Sequence, residues 1–269
     1  PVTAFLILAF FGYISVAVMG FVLGLLGGGG SILTVPILVY LFHVPAVTAT
    51  SYSLFIVGLT SAFAAIRYKT LLDYKAAILF SLPAGFGVYM SRSWLLPSLA
   101  DQLFFFDRQI TKDQLILIVF SIMVLIISGF MFYSKDPSPK SDANIAAKKP
   151  YWYLALVAVL VGVFTGFVGA GGGFVIVPAL TLLWGVSLKR AIATSLFIIS
   201  VKSTIGFLAD SREALAIDWS FLLGFLCITL ASVLGGIRAN ASLSATVLRR
   251  SFAVFILFMG CFILIKELF

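Results

Sequence analysis

Charge is what this sequence has least of. Only 10% of its 269 residues are Asp, Glu, Lys or Arg, against roughly a quarter in soluble domains. Histidine is nearly absent, with His43 standing alone, and there are two cysteines, Cys227 and Cys261. These shortages exclude most enzyme chemistry. There is no HExxH, no intramembrane carboxylate pair and no cysteine cluster to hold a metal or move protons. No cofactor or metal site is expected, and the chain is read as a non-enzyme. Both cysteines fall inside apolar runs, so they are expected to be small buried hydrophobes rather than a disulfide. The formal charge of +8 comes without a basic face, zinc spacing or RNA-binding aromatic motif, which argues against nucleic acid as a partner.

What fills the chain instead is hydrocarbon: 62% of residues are hydrophobic and the mean hydropathy is +1.17. Apolar stretches recur along the whole length rather than once near a terminus, which implies a multi-pass protein of the bilayer. Runs bounded by charge, proline or glycine give ten segments, at 4–26, 31–42, 46–66, 75–96, 114–133, 151–168, 174–186, 190–208, 218–237 and 249–265. The expected fold is therefore all-α, a polytopic membrane helix bundle. A long polar stretch, "SKDPSPKSDANIAAKKP" at 134–150, divides it. Residues 1–134 form a first transmembrane repeat, 135–150 a cytoplasmic linker and 151–269 a second repeat.

The halves resemble each other. Gly24, Gly27, Gly29, Gly30 and Pro36 match Gly166, Gly169, Gly171, Gly172 and Pro178 at a constant offset of 142. "ATS" at residues 49–51 returns at 193–195, and Asp73 returns as Asp218. An odd number of segments per half inverts the second copy. With the N-terminus outside, twelve of the eighteen basic residues fall in inner loops: Arg67, Lys69, Lys75, Lys135, Lys140, Lys148, Lys149, Lys189, Arg190, Arg238, Arg249 and Arg250. Cytoplasmic loops carry such an excess of Lys and Arg. Arg92, Arg108, Lys112, Arg212 and Lys266 then fall outside, and Lys202 stays within a span. Two inverted five-segment repeats are the preferred architecture, with both ends of the chain outside.

The second and seventh segments are too short to cross. Twelve helical residues from 31 to 42 cover about 18 Å, whereas the hydrocarbon core is about 30 Å thick. Each follows a glycine run, "GGGG" or "GAGGG". Irregular backbone at membrane depth survives only where protein or water surrounds it. A glycine loop entering a helix also presents unpaired N–H groups and the positive end of the helix dipole, which favours an anion. Close helix packing is the competing use of such glycines. A nucleotide loop is not, because Ser31-Ile32 and Phe174-Val175 stand where Lys-Ser or Lys-Thr would be required.

The candidate binding residues are therefore Gly28, Gly29, Gly30 and Ser31 in the first copy and Gly171, Gly172 and Gly173 in the second. The recurring hydroxyl pairs Thr50–Ser51 and Thr194–Ser195 join them, together with Lys202. That lysine sits mid-segment, where a charge costs a few kcal/mol and so marks a functional position. No equally central carboxylate is apparent as its partner, and Gly58 holds the corresponding place in the first copy. His43 reads as a capping or interfacial residue, and Trp94, Trp152, Trp219, Tyr133, Tyr151 and Tyr153 as an interfacial aromatic belt.

"GLLGGGGSILTVP" and "GFVGAGGGFVIVP", each followed by an "ATS" segment, together with "RYKTLLDYKAAILF" and a basic-ended final pair of helices, resemble the sulfite exporter TauE/SafE family of membrane permeases. The resemblance covers nearly the whole chain. It implies a secondary transporter of small sulfur-containing anions such as sulfite, sulfoacetate or other organosulfonates in the bacterial cytoplasmic membrane, and it is compatible with a homodimer. It also carries the glycine-proline motif onto Gly27–Pro36 and Gly169–Pro178, and the Thr-Ser pair onto 50–51 and 194–195. An anion channel, or a permease for another small oxyanion or carboxylate, stays open beside it.

Overall fold

A bilayer core offers no water to backbone N–H and C=O groups, so a chain of this composition must satisfy them internally as helix. The computed structural model describes residues 2–105, 108–133, 150–210, 217–242 and 245–268. The described residues form ten principal helices: α1 Val2–Leu26, α2 Ser31–Tyr40, α3 Ala46–Arg67, α4 Tyr74–Met90, α5 Lys112–Tyr133, α6 Tyr151–Val168, α7 Gly173–Trp184, α8 Leu188–Asp210, α9 Trp219–Ser242 and α10 Ala245–Leu268. Every one falls on an expected segment. The protein is a polytopic helical membrane protein, and five described helices are long and apolar enough to cross a bilayer: α3, α5, α6, α8 and α9. The polar stretch 134–149 lies outside the described residues, as does 211–216.

Two features were not expected. α4 continues past Met90, as the segment 75–96 implies, but does so through a π turn, Ser91–Leu95, before a last helical turn, Leu96–Ser98. Beyond it, where only a loop was expected, a short antiparallel hairpin pairs β1 (Gln102–Phe105) with β2 (Arg108–Thr111), Gln102 opposite Thr111. Cys227 and Cys261 also correct an expectation, because both are exposed on the helix surfaces rather than buried. In lipid, an apolar side chain gains nothing by turning inward, so an apolar setting in sequence does not imply burial. The large exposed side chains follow the same logic: Phe86 on α4, Phe164 on α6 and Phe258 on α10 face outward.

The helices pair across the two halves. α1 packs on α9 and α4 on α6, while α3 packs on α8 and α5 on α10. Small residues set the first two contacts. Gly20 and Gly24 lie against the α9 backbone at Thr229 and Val233, and Gly162 and Gly166 lie against α4 at Ala84 and Val88. Both pairs are GxxxG, which allows helix axes to approach closely. α3 and α8 run antiparallel: Ser51 meets Asp210, Leu54 meets Gly206 and Gly58 meets Ser203.

Equivalent positions are also built alike. α2 and α7 each carry a proline at the sixth residue, Pro36 and Pro178. Each ends in a backbone bond that reaches back six residues, Val44 N–H to Leu38 O at 3.0 Å and Val186 N–H to Leu180 O at 3.2 Å. The left-handed residue these caps need is His43 (φ +55°) in one copy and Gly185 (φ +66°) in the other. This accounts for His43 as a capping residue. Asp73 caps α4 by accepting from Ala76 N–H at 3.1 Å, and Asp218 caps α9 by accepting from Phe221 N–H at 3.0 Å.

Candidate functional site

α1 and α6 end in the same way. Gly27 N–H bonds Leu23 O and Gly169 N–H bonds Thr165 O, both at 3.0 Å. Each glycine then turns the chain with a positive φ, +63° and +69°, that only glycine adopts freely. The two glycine runs meet in the interior. A Cβ on Gly28 would lie 2.9 Å from Gly173 Cα, and one on Gly171 would lie 3.3 Å from Ser31 Oγ. Residues 27–38 and 165–174 are buried throughout.

The two loops differ in what they leave free. At the start of α2, Ser31, Ile32 and Leu33 N–H close onto the carbonyls of Gly28, Gly29 and Gly30 at 3.1, 3.3 and 3.0 Å. Ser31 Oγ adds a 2.5 Å bond to Gly28 O. The first loop therefore closes the donors that open α2 onto its own carbonyls and, among the described residues, leaves only the N–H groups of Gly29 and Gly30 without a backbone acceptor. Gly30 faces away from the second loop, pressed against α1 at Met19 and Leu23. At the start of α7, Gly172 N–H bonds Ala170 O at 2.6 Å, and Val175 and Ile176 N–H both bond Gly172 O at 3.0 Å. Among the described residues, no backbone carbonyl accepts from the N–H groups of Gly171, Gly173 or Phe174. Glycines 171 and 172 hold φ of +62° and +72°, a conformation that points successive amides to one side.

Two cations flank this second loop. Lys202 is fully buried; it does not snorkel to an interface. Its Nζ donates to Thr165 Oγ1 at 2.8 Å, and a Cβ on Gly172 would lie 3.2 Å from that nitrogen. Arg92 corrects the sequence reading outright. It was assigned to an outer loop, yet its side chain is 0% exposed. The π turn at Ser91–Leu95 carries it inward, and such turns recur at functional positions. Arg92 Nη1 donates to Thr50 Oγ1 at 3.0 Å and to Asp210 Oδ2 at 3.1 Å. Ser51 Oγ donates to the same Asp210 oxygen at 2.7 Å. A Cβ on Gly169 would lie 2.7 Å from Arg92 Nη2. Arg92, Asp210 and Thr165 were missed because each sits near the edge of its segment or looks like ordinary helix. The available signal was that Arg92 falls inside the apolar run 75–96.

The twin hydroxyl pair is used differently. Thr194 Oγ1 accepts from Asp73 N–H at 3.0 Å, and Ser195 Oγ donates to Gly27 O at 2.6 Å and Ile192 O at 2.9 Å. Ser195 pins the first loop and Thr194 the start of α4, and neither bonds a cation. Of the expected residues, the structure therefore brings together Gly28, Ser31, Gly171, Gly172, Gly173 and Lys202, and places Thr50 and Ser51 beside Arg92. Gly29 takes part through its carbonyl at the α2 start, and Gly30, Thr194 and Ser195 hold the scaffold. A separate pocket of about 760 Å³ lies at the far end of α2, lined by His43, Thr48, Tyr52 and Asp218 among others.

The model of the family described as sulfite exporter TauE/SafE matches residues 13–263. The chain belongs to the TauE/SafE family. It is a membrane transporter, not an enzyme, and a multi-pass protein of the cell membrane. A probable membrane transporter protein of Xylella fastidiosa is 27% identical over 262 residues, covering 91% of each chain. The probable membrane transporter protein YunE of Bacillus subtilis is 26% identical, covering 96% of this chain and 99% of its own. A probable membrane transporter protein of Methanocaldococcus jannaschii is 27% identical, covering 92% and 94%. No solved structure matches this TauE/SafE chain.

Proposed function

We propose that this TauE/SafE protein is a secondary transporter that exports small sulfur-containing anions such as sulfite, sulfoacetate or other organosulfonates, bound between two inverted repeats, 1–134 and 151–269. The observation that carries the reading is the second glycine loop. Three buried amides without carbonyl partners lie beside a buried ammonium, and that arrangement has one evident complement, a negative charge. Gly171, Gly172, Gly173 and Lys202 supply the attraction. Gly28, Ser31 and the rest of the first loop wall the site from the other side, with Thr50 and Ser51 at its edge.

The inversion is supported by how the halves pack. α3 and α8, equivalent in sequence, cross antiparallel, and Gly58 lies against Ser203, the residue that follows its counterpart Lys202. A two-fold axis perpendicular to spanning helices would produce both features. The clustering of basic loops supports an inward-facing end: Arg190 reaches Asp73 at 3.5 Å, which joins the 67–75 loop to the start of α8. Burial of both loops favours a carrier over a channel, since a channel would need a continuous polar path.

Transport by the purified protein in vesicles tests the reading. Sulfite or sulfoacetate flux should saturate and show counterflow, and Lys202→Met should lower it at least tenfold. That corresponds to loss of one charge-assisted hydrogen bond, about 1.5–3 kcal/mol. Equal rates for the variant and the wild type would remove Lys202 from the site, and linear flux without counterflow would favour the channel.

A further inference from the structure

Arg92 leaves three of its five N–H donors unused in the interior. One terminal nitrogen, Nη1, is committed to Thr50 and Asp210. The other two nitrogens, Nε and Nη2, are buried and have no hydrogen-bond partner among the described residues. These two atoms are not a random pair. Nε–H and one Nη2–H project in parallel from a single edge of the planar guanidinium, which is the fork that receives two oxygens of one oxyanion. Asp210 and Thr50, by holding Nη1, fix the orientation of that free edge, and Ser51 in turn fixes Asp210. Nη2 lies against Gly169, where a side chain would collide with it. Three residues further along the same glycine run, Gly172 lies against Lys202 Nζ.

We propose that Arg92 is the residue that selects the shape of the anion. Its Nε/Nη2 edge grips two oxygens borne by one atom, as in a sulfonate, sulfite or carboxylate, while Lys202 and the α7 amides supply attraction for negative charge of any shape. This rests on the anion reading of the second loop and adds the substrate class: oxyanions with paired oxygens, in preference to spherical anions. Two buried donors of a charged group are costly to leave unmade, at least as costly as a neutral donor. A ligand that satisfies both at once recovers that cost, and a halide, which presents one centre, cannot match the fork. Asp210 is a positioning residue here, and Arg92 is the ligand.

The test uses the full chain in detergent or nanodiscs, with binding read by ligand-induced thermal shift and titration calorimetry. The probes are sulfite, methanesulfonate and iodide. Wild-type protein should bind the two oxyanions at least tenfold more tightly than iodide. Arg92→Lys keeps the charge and the reach to Asp210 but cannot offer two parallel donors. It should lose at least tenfold in oxyanion affinity while iodide binding changes less than threefold. Oxyanion affinity retained within threefold, or an equal fall for iodide, overturns the proposal. So does wild-type protein that does not distinguish methanesulfonate from iodide, a result that requires no variant to fold. If Lys202→Met abolishes binding while Arg92→Lys does not, the anion site stands and the role of Arg92 falls. If no anion binds to the wild type, both fall together.

Discussion

Gly172→Ala adds one methyl group at the point where the glycine loop, Thr165 and Lys202 meet. Its effect can be worked from the geometry. Gly172 has φ +72°, where an L-residue costs about 1–2 kcal/mol. The new Cβ would also strike Thr165, at 2.8 Å from its Cβ and closer still to its Cγ2, and stand 3.2 Å from Lys202 Nζ. Overpacking of this kind costs about 1–3 kcal/mol. Stiffening the unfolded chain returns about 0.4–1 kcal/mol, leaving a net loss of about 1–5 kcal/mol. For a chain of this size that is a fall in Tm on the order of 2–18 °C. The control is Gly129→Ala, a helical glycine of α5 with nothing within 4 Å of the added methyl. It should be neutral, or stabilising by up to about 1 kcal/mol, as alanine is in helices. Thermostability by size-exclusion chromatography in detergent separates the two, and anion-induced stabilisation measured on each variant asks whether the site survives. Equal Tm values for the two variants, or an undiminished anion response in Gly172→Ala, would mean that the loop tolerates a side chain and that its glycines have no structural need to be glycine there.

Two further outcomes are expected. Asp73→Ala and Asp218→Ala each remove the side-chain cap of an equivalent helix, α4 or α9, so both should cost about 1 kcal/mol; thermal unfolding of each checks this, and a large disparity between them would weaken the equivalence of the halves. Cys227 and Cys261 are exposed within apolar helices, and in lipid the reactive thiolate is disfavoured. A water-soluble maleimide should therefore leave both unlabelled in membranes, and label them after denaturation in detergent.

Most of the fold could be read from the sequence because bilayer physics leaves few alternatives. Apolar length sets where a helix can lie, and glycine and proline mark where it cannot continue, so α2 and α7 were legible as short helices behind glycine turns. The duplicated spacing from Gly27 to Pro36 also foretold a detail of the structure, the meeting of the two glycine runs. What stayed hidden depends on direction rather than composition. Arg92 sits near the end of an apolar run, where an arginine ordinarily reaches for water. A single π turn rotates it into the bundle instead, and nothing in "MSRSW" announces that turn. Asp210 was obscured in the same way, as the last residue of α8 beside a polar loop. The inequality of the two loops was also invisible, since "GGGG" and "GAGGG" look alike as composition, but the first N–H groups of α2 close onto loop carbonyls while those of Gly173 and Phe174 at the start of α7 have no backbone acceptor among the described residues.

That inequality bears on how a duplicated scaffold acquires one site. Two equivalent halves bring two equivalent glycine turns to the centre, and an unmodified symmetric pair would present two equal half-sites of like polarity facing each other. The cations break the tie. Lys202 has Gly58 as its counterpart, and both Lys202 and Arg92 lie along the second glycine run while the first run closes the opening N–H groups of α2 onto its own carbonyls. One half therefore supplies a surface for charge and the other a wall of backbone carbonyls and Ser31 to close it. Introducing a second lysine by Gly58→Lys would bring a second cation into the interior at the α3–α8 crossing, where the added side chain meets Ser203, next in sequence to Lys202. Like charges without intervening water repel by far more than they do at a surface, so the scaffold tolerates the charge in one copy because the other copy lacks it.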